Sequence, residues 1–351
     1  MIYQIKEVIR LAALYETILN DLKEAILSKK LPPGSKLPTE MQLSTDYQVS
    51  RITSKRALTE LENLGLIERT RGRGSFVKAQ APKANQTKRI LFLLPFYNDL
   101  SLGNFTEGLL PILQDAQYDL LMTDFTYLTS HDCTSIQTEF SGMIYYAMKE
   151  QDHLELLIEL SLADFPVVIL DKERADLDFP TVIANNLIGG FEATTLLLAQ
   201  QHQRIGYLTN SQPLPQSTMQ RYLGYRKAVK DSFFLSLEEL PTLENFLALQ
   251  QEKQITAWVC ENDLIAIEAM RQLKAAKISV PDDISIIGFD NIQAAALVDP
   301  ALTTISQNFD KIGYTAGQLL LEWITTGQKP SSQKIDVTLI TRHSIKEISH
   351  D

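Results

Sequence analysis

One segment, residues 37–77, constrains the fold of this chain more than any other. It predicts a helix, a short turn, a basic helix and a basic hairpin, in that order. Leu37-Pro-Thr-Glu40 opens the first helix, Tyr47–Leu58 holds the turn and the second helix, and Arg69–Val77 holds the hairpin. Two helices joined by so short a turn have helix-turn-helix geometry. The segment therefore predicts a small winged helix.

The charges of the second helix indicate which face it exposes. If Ser50 caps this helix, Arg51 and Lys55 lie four residues apart on one face with Ile52 beside them. The opposite face carries the apolar stripe Ala57, Leu58, Leu61 and Leu64. One face is therefore expected to pack inward while the other presents cations to a partner.

The hairpin adds a second basic element. Its turn, Arg71-Gly72-Arg73-Gly74, places two arginines at a glycine-rich tip that can reach a phosphate or a narrow minor groove. Any one of these cations could instead be a solvated surface charge, but together they favour duplex DNA. We predict DNA contacts from Thr39, Glu40, Ser50, Arg51, Ile52, Thr53, Lys55, Arg56, Arg71, Gly72, Arg73 and Gly74.

The segment resembles the GntR family of winged-helix transcription regulators. The matching motifs are Leu31-Pro-Pro-Gly34, Leu37-Pro-Thr-Glu40, Val49–Leu58 and Gly72–Val77. Departures from the family pattern are Thr39, Ser54 in place of an apolar residue, Lys55 in place of arginine, and Ser75. Because lysine cannot make the two-pronged contact with guanine that arginine makes, the resemblance favours Arg51 as the base reader.

Charge is divided unevenly along the chain. Residues 12–89 carry 14 lysines and arginines against 8 acidic residues, whereas residues 90–351 carry 17 against 34. Only the first part can bind a polyanion by releasing counterions. Residues 79–89 are polar, lack an apolar period and include Pro82, which is typical of a linker. We predict a winged helix over 12–78, a linker over 79–89 and a large second domain over 90–351.

Length and composition limit the remaining possibilities. At 351 residues, the chain is too long for one average domain. No window approaches the roughly 20 apolar residues that span a bilayer, and the first residues lack a secretory signal. The only cysteines are Cys133 and Cys260. We expect a soluble cytoplasmic protein with no membrane partner, disulfide framework, metal site or cofactor.

Beyond the linker, short apolar runs alternate with segments of helical length such as 190–201 and 264–274. This alternation predicts an α/β fold with two doubly wound, mostly parallel sheets. The expected buried strands cover residues 90–94, 118–122, 142–145, 167–170, 205–208, 257–260 and 284–289.

Polar and aromatic residues that follow such strands are candidate ligand contacts, because ligands bind at the carboxyl ends of parallel strands. They include Phe96, Tyr97, Asp171, Lys172, Asn262 and Asp290. Carboxylates, amides and aromatic rings together suit a polyhydroxylated ligand. Any one of these residues alone is better explained as a helix cap or turn residue, and Asp263 is expected to do no more than start the next helix.

Nearly all of residues 90–351 resemble the effector-binding module of LacI-type repressors, which is similar to periplasmic sugar-binding proteins. The matching motifs are Pro166–Asp171, Gly189-Gly190, His202–Tyr207, Arg221–Tyr225, Trp258–Asp263, Val280–Asn291 and Leu302–Gln307. The resemblance implies that Asp171, Arg221, Asn262 and Asp290 line an effector cleft. It also implies two lobes, roughly 90–184 with 306–328, and 186–304 with 330–351. Where the family has an aspartate, this chain has Asn185, whose role stays open.

The combination of the two modules resembles the AraR-type subgroup of sugar-responsive repressors. It implies a homodimer on a pseudo-palindromic operator, released by a mono- or disaccharide. A phosphorylated or non-sugar effector, or a ligand that strengthens DNA binding, remains an alternative. An enzyme is disfavoured because no nucleophile elbow or phosphate-binding loop occurs, and a transport protein because it would require export.

Overall fold

The computed structural model describes two compact units, residues 1–86 and 87–351. The described residues are 15, 17–23, 25–26, 30–63, 66–70, 73–78, 87–95, 104–147, 152–173, 177–230 and 232–348. The predicted linker residues 79–86 lie outside them.

The first unit is a small helical domain with a two-stranded wing. Its elements are α1, whose described residues lie between 15 and 26, α2 (Glu40–Asp46), α3 (Arg51–Asn63), β1 (Ile67–Thr70) and β2 (Gly74–Val77). Strands β1 and β2 are antiparallel, and Ile67 pairs with Val77. The core combines apolar residues from all five elements, among them Ile18, Leu43, Leu58 and Val77. The predicted helix, turn, helix and hairpin are confirmed.

Both helices of the helix-turn-helix begin at capping side chains. The Thr39 hydroxyl accepts a hydrogen bond from the Gln42 backbone N–H at 3.2 Å, and the Gln42 side chain accepts one from the Thr39 backbone N–H at 2.8 Å. Ser50 Oγ accepts from the Thr53 N–H at 3.2 Å, so Ser50 starts α3 as predicted. These bonds satisfy backbone donors that the first turn of a helix leaves open.

The second unit has two lobes, each built around a sheet. The first lobe holds a six-stranded parallel sheet in the order β12-β7-β6-β5-β3-β4. Its strands are β3 (Arg89–Leu94), β4 (Asp119–Asp124), β5 (Gly142–Tyr146), β6 (Val167–Leu170), β7 (Thr181–Ala184) and β12 (Gln333–Ile335). Its helices are α4 (Thr106–Asp115), α5 (Cys133–Glu139), α6 (Leu154–Leu162) and α12 (Phe309–Thr326).

The second lobe holds a five-stranded sheet in the order β13-β11-β10-β9-β8, in which only β13 is antiparallel to its neighbour. Its strands are β8 (Ile205–Leu208), β9 (Ala257–Cys260), β10 (Ser285–Asp290), β11 (Thr303–Ser306) and β13 (Thr338–Ile340). Its helices are α7 (Asn186–Ala199), α8 (Gln216–Val229), α9 (Phe246–Lys253), α10 (Asp263–Ala275) and α11 (Gln293–Leu297). The α/β class and all seven predicted strands are confirmed, with ends shifted by no more than two residues.

The chain crosses between the lobes three times: after β7, after β11 and after β12. The prediction that residues 330–351 belong to the second lobe is wrong for β12, which pairs in parallel with β7 of the first lobe, with Lys334 opposite Ile183. In β12, Gln333 and Lys334 are exposed at the sheet edge, and its sequence, Gln-Lys-Ile, has no apolar run. Periodicity therefore gave no signal for it.

No helix in the described part of the chain combines the length and apolar character needed to cross a bilayer.

Candidate DNA interface and ligand cleft

The two faces of α3 are sharply different. Ala57, Leu58 and Leu61 are buried in the core of the first unit. Arg51, Ile52, Lys55 and Arg56 are exposed. Arg56 also lies over the Tyr15 ring, 4.0 Å from its centroid, and so ties α3 to α1. The exposed face carries three cations and one aliphatic side chain.

Glu40 connects the starts of α2, α3 and β1. Its carboxylate accepts a hydrogen bond from Arg51 Nε at 3.4 Å and from Arg69 Nη2 at 2.5 Å. Arg69 also donates to the Thr59 hydroxyl at 3.2 Å. The bond from Arg51 uses Nε, and the Arg51 side chain is 72% exposed. Glu40, predicted as a DNA contact, is placed to orient the arginine that is the best candidate base reader.

Two predicted contacts, Thr39 and Thr53, take part in the hydrogen bonds that cap α2 and α3. Thr53 is only 6% exposed, and its hydroxyl lies 2.8 Å from Ser50 Oγ. The hydroxyl faces the start of α3, and a DNA contact from Thr53 stays a prediction. Thr39 is exposed, but its hydroxyl is engaged by Gln42.

At the wing, Arg73 is exposed and its backbone N–H donates to the Thr70 carbonyl at 3.0 Å, which closes the turn. Gly74 has a φ of +116°, which favours glycine, and a Cβ there would lie 2.9 Å from Lys36 Cε. The other two predicted tip residues, Arg71 and Gly72, lie outside the described residues.

The second unit brings charged residues from both lobes together at the carboxyl ends of their strands. Asp171 follows β6 and Tyr146 ends β5 in the first lobe, and the two side chains are close enough that each affects the pKa of the other. Asp290 ends β10 and Arg221 lies on α8 in the second lobe. Arg221 Nη1 lies 3.2 Å from Asp290 Oδ1. We call Tyr146, Asp171, Arg221 and Asp290 the cleft cluster.

Arg221 is held rigidly from several sides. Its Nε donates to Asn186 Oδ1 at 2.8 Å, its Nη1 donates to the Glu261 carbonyl at 2.5 Å, and its guanidinium lies 3.8 Å from the Phe289 ring centroid. Helices α7 and α8 pack so closely that a Cβ at Gly190 would lie 2.0 Å from the Arg221 carbonyl oxygen. The arginine is thus oriented before any ligand arrives, which lowers the entropic cost of binding.

Burial raises the pKa of both carboxyl groups in the cleft cluster. It raises the pKa of Asp290 to about 6, although Arg221 and a 2.6 Å hydrogen bond from Gln307 favour the ionised form. Burial likewise raises the pKa of Asp171, against the charges of Arg221 and Lys172. The pKa of the Tyr146 phenol is raised well above its ordinary value by burial and by Asp171 and Asp290. Strongly shifted groups that converge from two lobes are typical of a binding site.

The backbone supports the same location. Asp171 has a φ of +72° and Asp290 has a φ of +112°, both in the left-handed region that non-glycine residues rarely adopt. Such conformations concentrate at binding sites, where the surrounding structure pays for them. The two aspartates therefore occupy constrained turns at their strand ends.

The structure also places the other predicted cleft residues. Asn262 caps α10, since its Oδ1 accepts a hydrogen bond from the Ile265 N–H at 2.9 Å. A helix cap was the alternative to a ligand contact for this residue. Asp263 starts α10 and is buried. Its carboxylate accepts hydrogen bonds from Thr304 Oγ1 at 2.5 Å and from the Ile292 N–H at 2.9 Å. Lys172 is 8% exposed. Phe96 and Tyr97 lie outside the described residues.

The lobes also touch beside the cleft cluster. The Glu173 N–H of the first lobe donates to Gln216 Oε1 of the second at 3.0 Å. A cavity of about 100 Å³ opens there. Among its lining residues are Asp171, Asn185, Asn186, Ser217, Gln220 and Lys334. Asn185, left open by the sequence, therefore lies at a lobe crossing and faces this cavity.

Three residues of the site escaped the sequence reasoning: Tyr146, Asn186 and Gln307. Gln307 directly follows β11 and Asn186 opens α7 just after β7. The rule that polar residues follow strands would have found both, had β7 and β11 been recognised as strands. Tyr146 was hidden because it reads as part of an apolar run.

Comparisons with known proteins agree with both halves of the molecule. Residues 14–77 match the family model for bacterial regulatory proteins of the gntR family, and residues 194–345 match the periplasmic binding protein-like domain. The chain belongs to the helix-turn-helix transcriptional repressors with a LacI-type effector domain, and its DNA-binding domain is of the gntR type.

Individual relatives show how far the likeness extends. The arabinose metabolism transcriptional repressor of Geobacillus stearothermophilus is 28% identical over 361 residues, which cover 95% of this chain and 98% of the relative. The repressor PurR of Pectobacterium carotovorum is 30% identical over 77% of this chain and 83% of its own length. A LacI family regulator from Enterococcus faecium, solved with bound ribose, is 24% identical and superposes with a TM-score of 0.63. The match covers 74% of this chain and all of that regulator's chain. The suggested resemblances are confirmed, and the chain is a DNA-binding transcriptional regulator.

Proposed function

We propose that this protein is a sugar-responsive repressor that binds a pseudo-palindromic operator as a homodimer in the cytoplasm. A mono- or disaccharide closes the cleft between the lobes and releases the DNA. Catalysis is not part of this proposal, since the named relatives are transcriptional regulators. The observation that carries it is the cleft cluster, in which two carboxylates, an arginine and a phenol converge from both lobes.

The chemistry of the cleft cluster favours a neutral polyol over a phosphate. Arg221 is already paired with Asp290, and Asp171 adds a second carboxylate. A sugar offers adjacent hydroxyls that donate to carboxylates and accept from an arginine, whereas a phosphate would meet two anionic groups. The likeness to a repressor of arabinose metabolism and to regulators solved with ribose or cellobiose supports the same class of ligand.

The DNA half of the proposal depends on α3. Arg51 is exposed with its terminal nitrogens available beyond Glu40, and the first residues of a recognition helix contact base edges. Two such helices in a two-fold dimer require two half-sites about one helical turn, or a multiple of it, apart. If the ligand prefers one of two dimer geometries by ~1 to 3 kcal/mol, its binding would change operator affinity ~5- to 150-fold.

The ligand test uses thermal shift with arabinose, ribose and cellobiose as probes, followed by DNA release. We expect one sugar to raise the melting temperature of the full-length protein and to lower its affinity for duplexes enriched from a random library. Arg221→Ala should lose both responses, and Asp290→Asn should weaken them without unfolding the protein. A full response in both variants would contradict the cleft assignment, and a sugar that strengthens DNA binding would contradict release.

The DNA test uses Arg51→Ala and Lys55→Ala. Arg51→Ala should lose sequence-selective binding while keeping the sugar response. Lys55→Ala should weaken binding to all sequences alike and lower the salt slope by about 1, as expected for a lost phosphate contact. Selective gel shifts retained by Arg51→Ala would show that α3 is not the recognition helix.

A further inference from the structure

We propose that Ile52 determines operator sequence by contacting the 5-methyl group of a thymine next to the base pair that Arg51 reads. This inference rests on the proposed function, because it assumes that α3 enters the major groove. Its starting point is the exposure of Ile52, which is 81%, at the second residue of α3. The other aliphatic side chains in the described part of that helix, Ala57, Leu58 and Leu61, are buried.

The chemistry of the groove leaves Ile52 one favourable partner. Phosphates and sugars offer oxygens, and the base edges of adenine, guanine and cytosine in the major groove offer hydrogen-bonding groups. The thymine 5-methyl is the apolar group displayed there, and apolar side chains discriminate thymine through it. An isoleucine against any other edge would bury polar groups without hydrogen bonds, which is unfavourable.

The local structure fixes where Ile52 points. Ser50 caps the first turn of α3, and Glu40 holds the neighbouring Arg51 through Nε at 3.4 Å. A β-branched side chain in a helix has essentially one χ1 rotamer, so little entropy is lost when it makes contact. Successive residues of the first turn lie 1.5 Å apart along the helix axis, less than the spacing of base pairs. With Arg51 at one base edge, Ile52 is therefore placed within reach of the neighbouring base pair.

The experiment replaces thymine by deoxyuridine, which lacks only the methyl group. Duplexes are first enriched from a random library with the full-length protein, and each thymine of a half-site is then replaced in turn. For the wild type, one thymine per half-site should matter, and its replacement should weaken binding about fourfold per half-site, the value expected for one buried methyl group. Ile52→Ala should bind the thymine and uracil duplexes equally, and Ile52→Val should keep part of the discrimination.

Met41→Ala is the matched control. Met41 is 70% exposed on α2, and in helix-turn-helix proteins the first helix crosses the phosphate backbone and does not read bases. This variant should therefore discriminate thymine from uracil as the wild type does. If Ile52→Ala discriminates as strongly as the wild type, the inference about Ile52 is overturned while the repressor function stands. If the library yields no enriched sequence at all, the proposed function fails together with it.

Discussion

Ser54 shows how one side chain can be at odds with its surroundings. It is fully buried in the first unit, and among the described residues its hydroxyl has no hydrogen-bond partner. The GntR family pattern has an apolar residue at this position. The departure to serine therefore places a polar group in a buried site. Burying a hydroxyl without a partner costs free energy that its removal would recover.

Ser54→Ala should therefore stabilise the winged helix by about 1 kcal/mol, since it removes the unpaired hydroxyl and introduces a better helix former. Ser44→Ala is the opposite case, because Ser44 Oγ donates to the Val49 carbonyl at 2.5 Å and its loss should destabilise. Hydrogen exchange of the α3 amides measures both effects in this unit alone. Equal or reversed signs would mean that Ser54 has a partner after all.

Residue identity alone could not assign roles at the DNA face. The sequence suggests equally plausible DNA contacts at Glu40, Ser50, Thr53 and Arg51. In the structure, Ser50 caps the helix, Thr53 is buried and Glu40 orients Arg51. Short polar side chains serve both as helix caps and as DNA contacts, so composition and spacing cannot separate the two uses. The direction of each side chain can.

At the scale of elements, His202 ties three segments of the second lobe together. It precedes β8. Its Nε2 lies 2.9 Å from Ser285 Oγ at the start of β10 and 3.1 Å from the Lys346 carbonyl near the end of the chain. Its Nδ1 lies 3.0 Å from the Thr256 hydroxyl before β9. Burial lowers the pKa of His202 to about 4. The imidazole is therefore neutral in the folded protein at neutral pH.

This arrangement predicts acid sensitivity. Unfolded His202 protonates near its ordinary pKa of 6.5 and folded His202 only near 4, so between these values the unfolded chain binds more protons. The free energy of unfolding should fall as pH drops through this window, by up to about 3 kcal/mol from this residue. His202→Gln should be less stable at pH 7 and should lack this part of the dependence in urea titrations at pH 7 and 4.5. An unchanged pH dependence in the variant would rule out His202 as its source.

Element prediction succeeded for strands with continuous apolar runs and missed β7, β11, β12 and β13. Buried strands such as β6 and β10 are apolar on both faces, so their sequences identify them. Strand β12 is three residues long and mostly exposed, and only its hydrogen bonds to β7 make it a strand. A short, exposed strand such as β12 depends on tertiary contacts that no local pattern records.

At the scale of the whole molecule, the cleft should respond to pH. Asp290 has a pKa of about 6, so below that value a sugar whose hydroxyls donate to the carboxylate must first displace a proton. Sugar affinity should therefore fall as pH drops below about 6, by up to about tenfold per pH unit. Calorimetry between pH 5 and 8 measures this. Asp290→Asn should bind more weakly with a flatter profile, and a profile as steep as that of the wild type would place the titrating group elsewhere.

The two units should also separate in their roles. Because residues 87–351 form a compact unit of their own, removal of residues 1–86 should leave the dimer intact and the sugar response unchanged. DNA binding should be lost, since the excess of lysine and arginine lies in the removed part. Sedimentation velocity of the shortened chain provides the check, and a monomer would place the main dimer contact in the winged helix.

The sequence by itself determined the class of the protein: a basic winged helix followed by an acidic pair of parallel-sheet lobes. That information is local, because helix caps, apolar periods and charge runs are set by neighbours along the chain. Only the tertiary structure decided that Arg221 of α8 pairs with Asp290 of β10, that Tyr146 meets Asp171, and that β12 joins the first lobe. These contacts join residues far apart in sequence, and their geometry is fixed by packing, which a one-dimensional pattern does not encode.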